Sequence, residues 1–215
     1  ERTVGKILKK ERLVRKYRVR KITYKYIRAT RKPGELIEID VKYVPGTVAN
    51  KEYFQYTAID TASRWRHLEV FDEQSSFHSV TFLSVVMNRF HHRITGLKTD
   101  NHSTFTNFYT GTNKRSDMTV KTLHPLDVFC AQNGIVHYLI DRGKPAQNGT
   151  VERSHREDQE KFYKANVFRN VADLRKKMER WNTYYNNLEH CGLNGKTPNE
   201  FLRDYQLTNP PNVRA

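Results

Sequence analysis

Cysteine is nearly missing from this chain of 215 residues, which holds only Cys130 and Cys191. Two thiols are too few for a disulfide framework or a four-thiolate zinc site, so a reducing compartment is expected. No apolar run approaches the roughly 18 residues needed to span a bilayer, so no membrane partner is expected. The opening Glu1-Arg2-Thr3 lacks the charged start and apolar stretch of a secretory signal, and a cytoplasmic location follows as the expectation. Acidic charge is also scarce: 23 Asp and Glu face 38 Lys and Arg, for a net charge of +15. That excess is the electrostatic footprint of a polyanion binder, with nucleic acid the leading partner. Solubility charge or attraction to a membrane surface is the blander account. What is present suffices for a core, with 37% hydrophobic and 12% aromatic residues in a length suited to one main domain plus extensions.

The basic excess is densest in the first 32 residues, where Lys9, Lys10, Arg12, Arg15, Lys16, Arg18, Arg20 and Lys21 are interleaved with Tyr17, Tyr24 and Tyr26. Residues 1–33 are expected to form a basic arm or linker, helical over about 4–14, with Arg18, Arg20 and Lys21 as phosphate contacts. A solvated tail is the alternative. After Pro33-Gly34 the pattern changes to short runs of Val, Ile, Tyr and Phe. Runs over 36–40, 53–60 and 65–71 predict an antiparallel meander, and apolar spacing over 75–92 predicts an amphipathic helix. A short strand over 94–99 then delivers Asp100, and the strand-helix-strand order calls for a crossover and a mixed sheet. Residues 109–121 read as a polar insertion, 125–132 as a helix stopped by Asn133-Gly134, and 135–140 as a fifth strand. The Gly- and Pro-containing loop over 141–150 precedes the helix that carries Glu152, which is expected to run to about 164. A last helix is predicted over 171–187. The chain thus divides into the arm, a core over 34–165 and a C-terminal helical extension over 166–215.

Three acids stand out. Asp40 and Asp100 each end an apolar strand, and Glu152 lies in the first turn of a helix. Carboxylates at the ends of adjacent strands can converge, and an unpaired buried cluster costs several kcal/mol unless a cation neutralises it. Hard oxygen ligands suit Mg²⁺ or Mn²⁺. On pattern alone, a turn-forming or helix-capping role for each acid weighs equally.

The surrounding motifs shift that balance. Gly34-Glu35-Leu36-Ile37-Glu38-Ile39-Asp40, Thr99-Asp100-Asn101-His102-Ser103-Thr104-Phe105 and Lys144-Pro145-Ala146-Gln147-Asn148-Gly149-Thr150-Val151-Glu152-Arg153-Ser154-His155 together resemble the DDE group, the integrase core shared by retroviral integrases and bacterial insertion-sequence transposases. An Ile59-Asp60-Thr61-Ala62-Ser63-Arg64 segment and a closing Lys196-Thr197-Pro198-Asn199-Glu200-Phe201 segment extend the likeness over residues 34–202. The resemblance implies an α/β, ribonuclease H-like fold with a five-stranded mixed sheet flanked by helices. It implies a transposase or integrase that cuts and joins double-stranded DNA, at element ends and target, in the bacterial cytoplasm as a homo-oligomer. It implies two Mg²⁺ or Mn²⁺ ions per active site, Asp40 touching both and Asp100 and Glu152 completing one shell each.

His102 and Thr104 depart from the family pattern beside the second acid, and the separation from Asp100 to Glu152, 152 − 100 = 52 residues, is longer than the resemblance implies. The polar insertion over 109–121 accounts for most of the excess. Lys144, Gln147, Asn148, Arg153 and Arg156 flank Glu152 and are candidate DNA contacts, with an ordinary ion pair to Glu152 as the competing role of Arg156. His155 is a candidate for orienting a ligand or the scissile strand, on equal terms with a structural histidine. His91, His92, Cys130 and His137 show no four-ligand spacing and read as structural. Two other functions fit less well: a non-catalytic, transposase-derived DNA-binding module, motivated by His102 and Thr104, and a nuclease for RNA-DNA hybrids.

Overall fold

A computed structural model describes residues 2–11, 13, 30–107 and 123–209. The basic arm over 14–29, with Arg18, Arg20 and Lys21, lies outside the described residues, as does the insertion over 108–122. Helix α1 (Arg2–Lys10) falls where the arm is expected to be helical.

The meander is β1 (Ile37–Tyr43), β2 (Phe54–Asp60) and β3 (Arg66–Phe71), paired antiparallel. Helix α2 (Ser76–Arg89), capped by the Ser75 side chain on the His78 N–H, crosses over to β4 (Gly96–Thr99), which runs parallel to β1. Helix α3 (Pro125–Gln132) leads to β5 (Val136–Leu139), parallel to β4, so the five-stranded order is β3-β2-β1-β4-β5. The mixed sheet expected from the sequence is therefore present.

Alternation along the strands gives the sheet two unlike faces. Ile37, Ile39, Tyr56, Ala58 and Leu97 turn to one side, where Phe82, Leu83 and Val86 of α2 and Leu126 of α3 bury them. The opposite side of β1 and β2 carries Glu38, Gln55 and Thr57, all buried. A second layer covers it: a 3₁₀ turn (Pro145–Asn148), α4 (Gly149–Glu157), a π-helical turn (Asp158–Tyr163) and α5 (Val171–Asn186). The helix expected to reach about residue 164 is thus an α-helix that widens at Asp158. Val151 packs on Ile59 and Tyr185, while Phe162, Tyr163, Leu174 and Met178 close over Leu68 and Val70.

Helix α5 also seals the edge strand β3. Asn182 accepts from the Leu68 N–H and donates to the Leu68 carbonyl, both at 2.9 Å, and Asn186 repeats the pairing at Arg66. Two side-chain amides one helical turn apart stand in for a neighbouring strand, which removes the exposed edge on that side. A final α6 (Pro198–Thr208) starts at a capping box between Thr197 and Glu200. Among the described residues no helix is long and apolar enough to cross a membrane.

Candidate active site

The parallel register pairs Ile37 with Leu97 and Glu38 with Lys98. Two residues further along, Asp40 and Asp100 therefore stand level. Asp100 follows the end of β4 as expected, but Asp40 lies midway along β1, which runs on to Tyr43 in its pairing with β2, rather than ending its strand. Asp40 is half-buried, and its Oδ1 accepts the Val41 N–H at 2.8 Å. Its carboxyl is pushed up to about 7, first by burial and then by the like charge of Asp100, Glu152 and Glu38. Asp100 is held in turn by the His102 N–H, which reaches its Oδ1 at 3.0 Å. The two departures beside it bond one another, His102 Nδ1 to Thr104 Oγ1 at 2.7 Å.

Glu152 is exposed in the first turn of α4, close enough to raise the Asp40 carboxyl by its charge. What sets the start of α4 is Glu38, a residue that the sequence motifs do not single out. Its Oε2 accepts the N–H groups of Thr150 and Val151, both at 3.1 Å, and its Oε1 pairs with Lys98 at 2.9 Å. A carboxylate there satisfies two of the orphan donors of the first turn and complements the positive end of the helix. Lys98 also donates to the Gln147 carbonyl, tying the preceding turn to β4. Alternation puts Glu38 on the face of Asp40, two residues earlier, but nothing in the sequence says that a helix covers that face.

Not every predicted residue joins the acids. Lys144 pairs with Asp141 at 2.9 Å, and Gln147 donates to Asp141 Oδ2 and accepts from the Asp141 N–H, so both brace their own loop. Asn148 is buried, whereas Arg153 and Arg156 are exposed on α4. The i,i+4 ion pair that spacing allows between Arg156 and Glu152 does not occur among the ion pairs of the described residues. Asp60 is structural: it accepts from Gly34 N, Ser63 N and Ser63 Oγ, and burial raises its carboxyl. Gly34 itself has φ +80, and a Cβ there would sit 2.1 Å from the Arg93 carbonyl. His137 is bonded between Asp127 and Thr99, and the Cys130 thiol is pushed up to about 12 by burial, in keeping with structural roles.

His155 lies one turn past Glu152, with Nδ1 at 3.5 Å from Asp40 Oδ2 and Nε2 at 2.9 Å from Thr57 Oγ1. Burial, with help from the Lys42 charge, holds its ring down to about 4. Lys42 donates to the His155 carbonyl at 3.2 Å and sits over the Tyr163 ring. Behind them Arg66 and Asp158 form an ion pair at 2.8 Å with no exposure of either side chain, and the Arg66 guanidinium stacks 3.6 Å from the Tyr185 ring centre.

Among the described residues, no group of three or more Asp, Glu, His or Cys side chains is gathered tightly enough to hold a metal ion. The donor set nevertheless suits one. Carboxylate oxygens from Asp40, Asp100 and Glu152 are hard ligands, and burial followed by the like charge of Asp100, Glu152 and Glu38 raises the Asp40 carboxyl with no cationic side chain among the described residues offsetting it.

Comparison with known proteins gives one answer throughout. The family described as "Integrase core domain" matches residues 30–145, and a second model of the same description matches 133–198. The ORF3 protein of Spiroplasma virus SpV1-C74, which bears the name of an integrase, is 28% identical over 199 residues, 89% of this chain and 54% of its own length. The chain thus spans about half of that curated relative. Among solved structures, the catalytic core domain of BIV integrase superposes with a TM-score of 0.58 at 17% identity, covering 81% of this chain and 97% of that one. A chain of the simian T-cell lymphotropic virus intasome, in complex with PP2A regulatory subunit B56 gamma, gives 0.62 at 18%, covering 88% and 59%. The HTLV-2 integrase catalytic core in complex with magnesium, in its dimeric form, gives 0.55 at 17%, covering 77% and 94%. These likenesses establish the ribonuclease H-like fold, and the matched models place the chain in the integrase core domain family.

Proposed function

We propose that this chain is the catalytic core of a metal-dependent DNA strand-transferase, a transposase or integrase, with Asp40, Asp100 and Glu152 as its metal-binding acids. The observation that carries the reading is the register of β1 against β4, which sets Asp40 level with Asp100 while Glu38 anchors the helix bearing Glu152. Asp40, Asp100 and Glu152 would hold Mg²⁺ or Mn²⁺, which when bound would supply Lewis-acid charge to an in-line displacement at phosphorus. Attack by water forms one P–O bond as the strand's own P–O bond breaks, which cuts the strand. Attack by the freed 3′ hydroxyl on a second duplex exchanges P–O bonds in the same way and joins the two DNAs.

Arg153 and Arg156 stand exposed on α4, where they would meet the phosphate backbone, and the chain's excess of basic residues supports a DNA partner. The similar chains of the intasome and of the dimeric HTLV-2 core are consistent with a homo-oligomer gripping DNA. His102 and Thr104, which motivate the non-catalytic reading, bond to each other and support Asp100 through a backbone N–H, so they leave the second acid in place.

Labelled element-end DNA incubated with the protein in Mg²⁺ or Mn²⁺ is expected to be nicked and joined. Asp40→Asn is expected to abolish both reactions with DNA affinity nearly intact. A fully active Asp40→Asn protein would remove Asp40 from the centre.

A further inference from the structure

Asp40 and Thr57 are direct cross-strand partners, as are Lys42 and Gln55, so the side chains behind the candidate metal site form a continuous polar row across β1 and β2. The supply of donors and acceptors in that row fixes the direction of each hydrogen bond.

Asp158 accepts from Arg66 and from Trp181 Nε1, and its Oδ2 faces Gln55 at 2.9 Å. An ionised carboxylate only accepts, so Gln55 presents its NH₂ group there, and its carbonyl oxygen is left to receive the Tyr163 hydroxyl. The second N–H of Gln55 donates to Thr57 Oγ1 at 2.9 Å. Thr57 is fully buried between Gln55 and His155, so its own proton has one acceptor among the described residues, His155 Nε2. A proton on Nε2 would set two donors against the Thr57 oxygen and strand the hydroxyl hydrogen in the interior, an unsatisfied buried donor. The ring hydrogen therefore sits on Nδ1, the nitrogen that faces Asp40 Oδ2.

The π-helical turn makes this row possible. Five residues along an α-helix rotate about 500°, which would carry Tyr163 some ~140° away from Asp158. The wider turn over Asp158–Tyr163 lets both side chains reach the same glutamine.

We propose that His155 is a positioning residue: a one-way hydrogen-bond relay, from Tyr163 through Gln55 and Thr57, fixes its Nδ1–H tautomer and aims that N–H at Asp40 Oδ2. Val41 N–H hydrogen-bonds Oδ1, and the His155 Nδ1–H faces the other oxygen, Oδ2, so each carboxylate oxygen has an N–H directed at it. At 3.5 Å the pair is longer than an ordinary N–H···O hydrogen bond, so the N–H acts on the carboxylate as a dipole and leaves its lone pairs free, and outer contacts of this kind orient metal-binding side chains. This inference rests on the reading of Asp40 as a metal ligand.

The test uses ¹⁵N-histidine labelling and Mn²⁺ titration of the folded chain. Two-bond ¹H–¹⁵N spectra are expected to show His155 protonated on Nδ1 in the wild type and to lose that exclusive assignment in Thr57→Val, which keeps the shape but removes the hydroxyl. Mn²⁺ affinity, read by paramagnetic broadening, is expected to fall roughly 10- to 100-fold in His155→Leu. It is expected to recover in large part in His155→Asn, whose amide N–H can replace Nδ1–H. An Nε2–H tautomer in the wild type overturns the inference. So does wild-type Mn²⁺ affinity in a folded His155→Leu protein while Asp40→Asn is impaired. Identical Mn²⁺ binding by wild type and Asp40→Asn instead removes the metal-ligand reading of Asp40, and the positioning role falls with it.

Discussion

Asp40 carries a charge that its surroundings resist: in the folded chain its carboxyl titrates at about 7, against 3.8 for the free side chain. Between those values the folded protein keeps a proton that the unfolded chain has released. Stability therefore falls as pH rises from about 4 to about 7, and above that the whole loss is in force. Asp40→Asn removes the titration and the repulsion from Asp100, Glu152 and Glu38. The variant is expected to be more stable than the wild type near pH 8 without divalent ions, with a flatter pH profile, when urea midpoints at about pH 4 and pH 8 are compared. Mg²⁺ is expected to raise the wild-type midpoint at pH 8 by binding the folded state and to leave the variant unmoved. Equal pH profiles for the two proteins would show that the site does not strain this carboxylate. The candidate acids are legible in sequence because each lies within a recognisable motif, Asp100 just past a strand and Glu152 in the first turn of a helix. The run of β1 beyond Asp40 to Tyr43 is not, since Lys42 breaks the apolar pattern there. Nor are the supports of the acids. Glu38, Gln55 and Thr57 alternate with apolar residues as a solvent-facing row would, and period-two alternation cannot tell a polar face in water from one covered by a second polar layer. Arg66 is the sharpest case, since a charged residue at the start of a strand is seldom fully buried unless paired, and its partner Asp158 lies 92 residues away.

At the scale of elements, α4 is where function and stability meet, because its first turn carries Glu152 and is fastened to β1 by Glu38. Glu38→Ala leaves the Thr150 and Val151 N–H groups and the Lys98 ammonium without their shared acceptor. Breaking a largely buried pair of this kind costs about 3 kcal/mol. The expected result is a lower urea midpoint together with faster amide exchange at Thr150 and Val151, and a loss of strand transfer as the start of α4 becomes free to move. Unchanged exchange at those two amides would mean that the helix is placed by the packing of Val151 alone. The five strands and the helices α2, α3 and α5 follow from apolar spacing to within a few residues. The π-helical turn does not, because its widened ring answers to contacts with Gln55 and carries no residue signature of its own. The start of α6 is readable, since Thr197-Pro198-Asn199-Glu200 has capping-box spacing with Pro in the first turn.

For the whole molecule, charge is the property that sequence reports without any fold. A net +15 predicts DNA binding that weakens steeply with salt, the slope of log affinity against log salt being about −0.9 for each phosphate neutralised. Sequence alone does not say which cations make those contacts, and the structure narrows the choice by removing several. Lys98 is committed to Glu38, Lys42 to the His155 carbonyl and Arg66 to Asp158, whereas Lys144, paired with Asp141 at the surface, remains exposed. Arg153 and Arg156 stay exposed on the helix that bears Glu152. Replacing both with alanine is expected to flatten the salt slope by about 2, measured by fluorescence anisotropy on duplex DNA between roughly 50 and 200 mM salt, with sequence preference unchanged. Asp40→Asn is expected to keep the wild-type slope, because it removes an acid from the cleft and no cation from the DNA face. A slope that survives loss of both arginines would move the phosphate contacts off α4 to other cations, of which the first 32 residues hold the densest run.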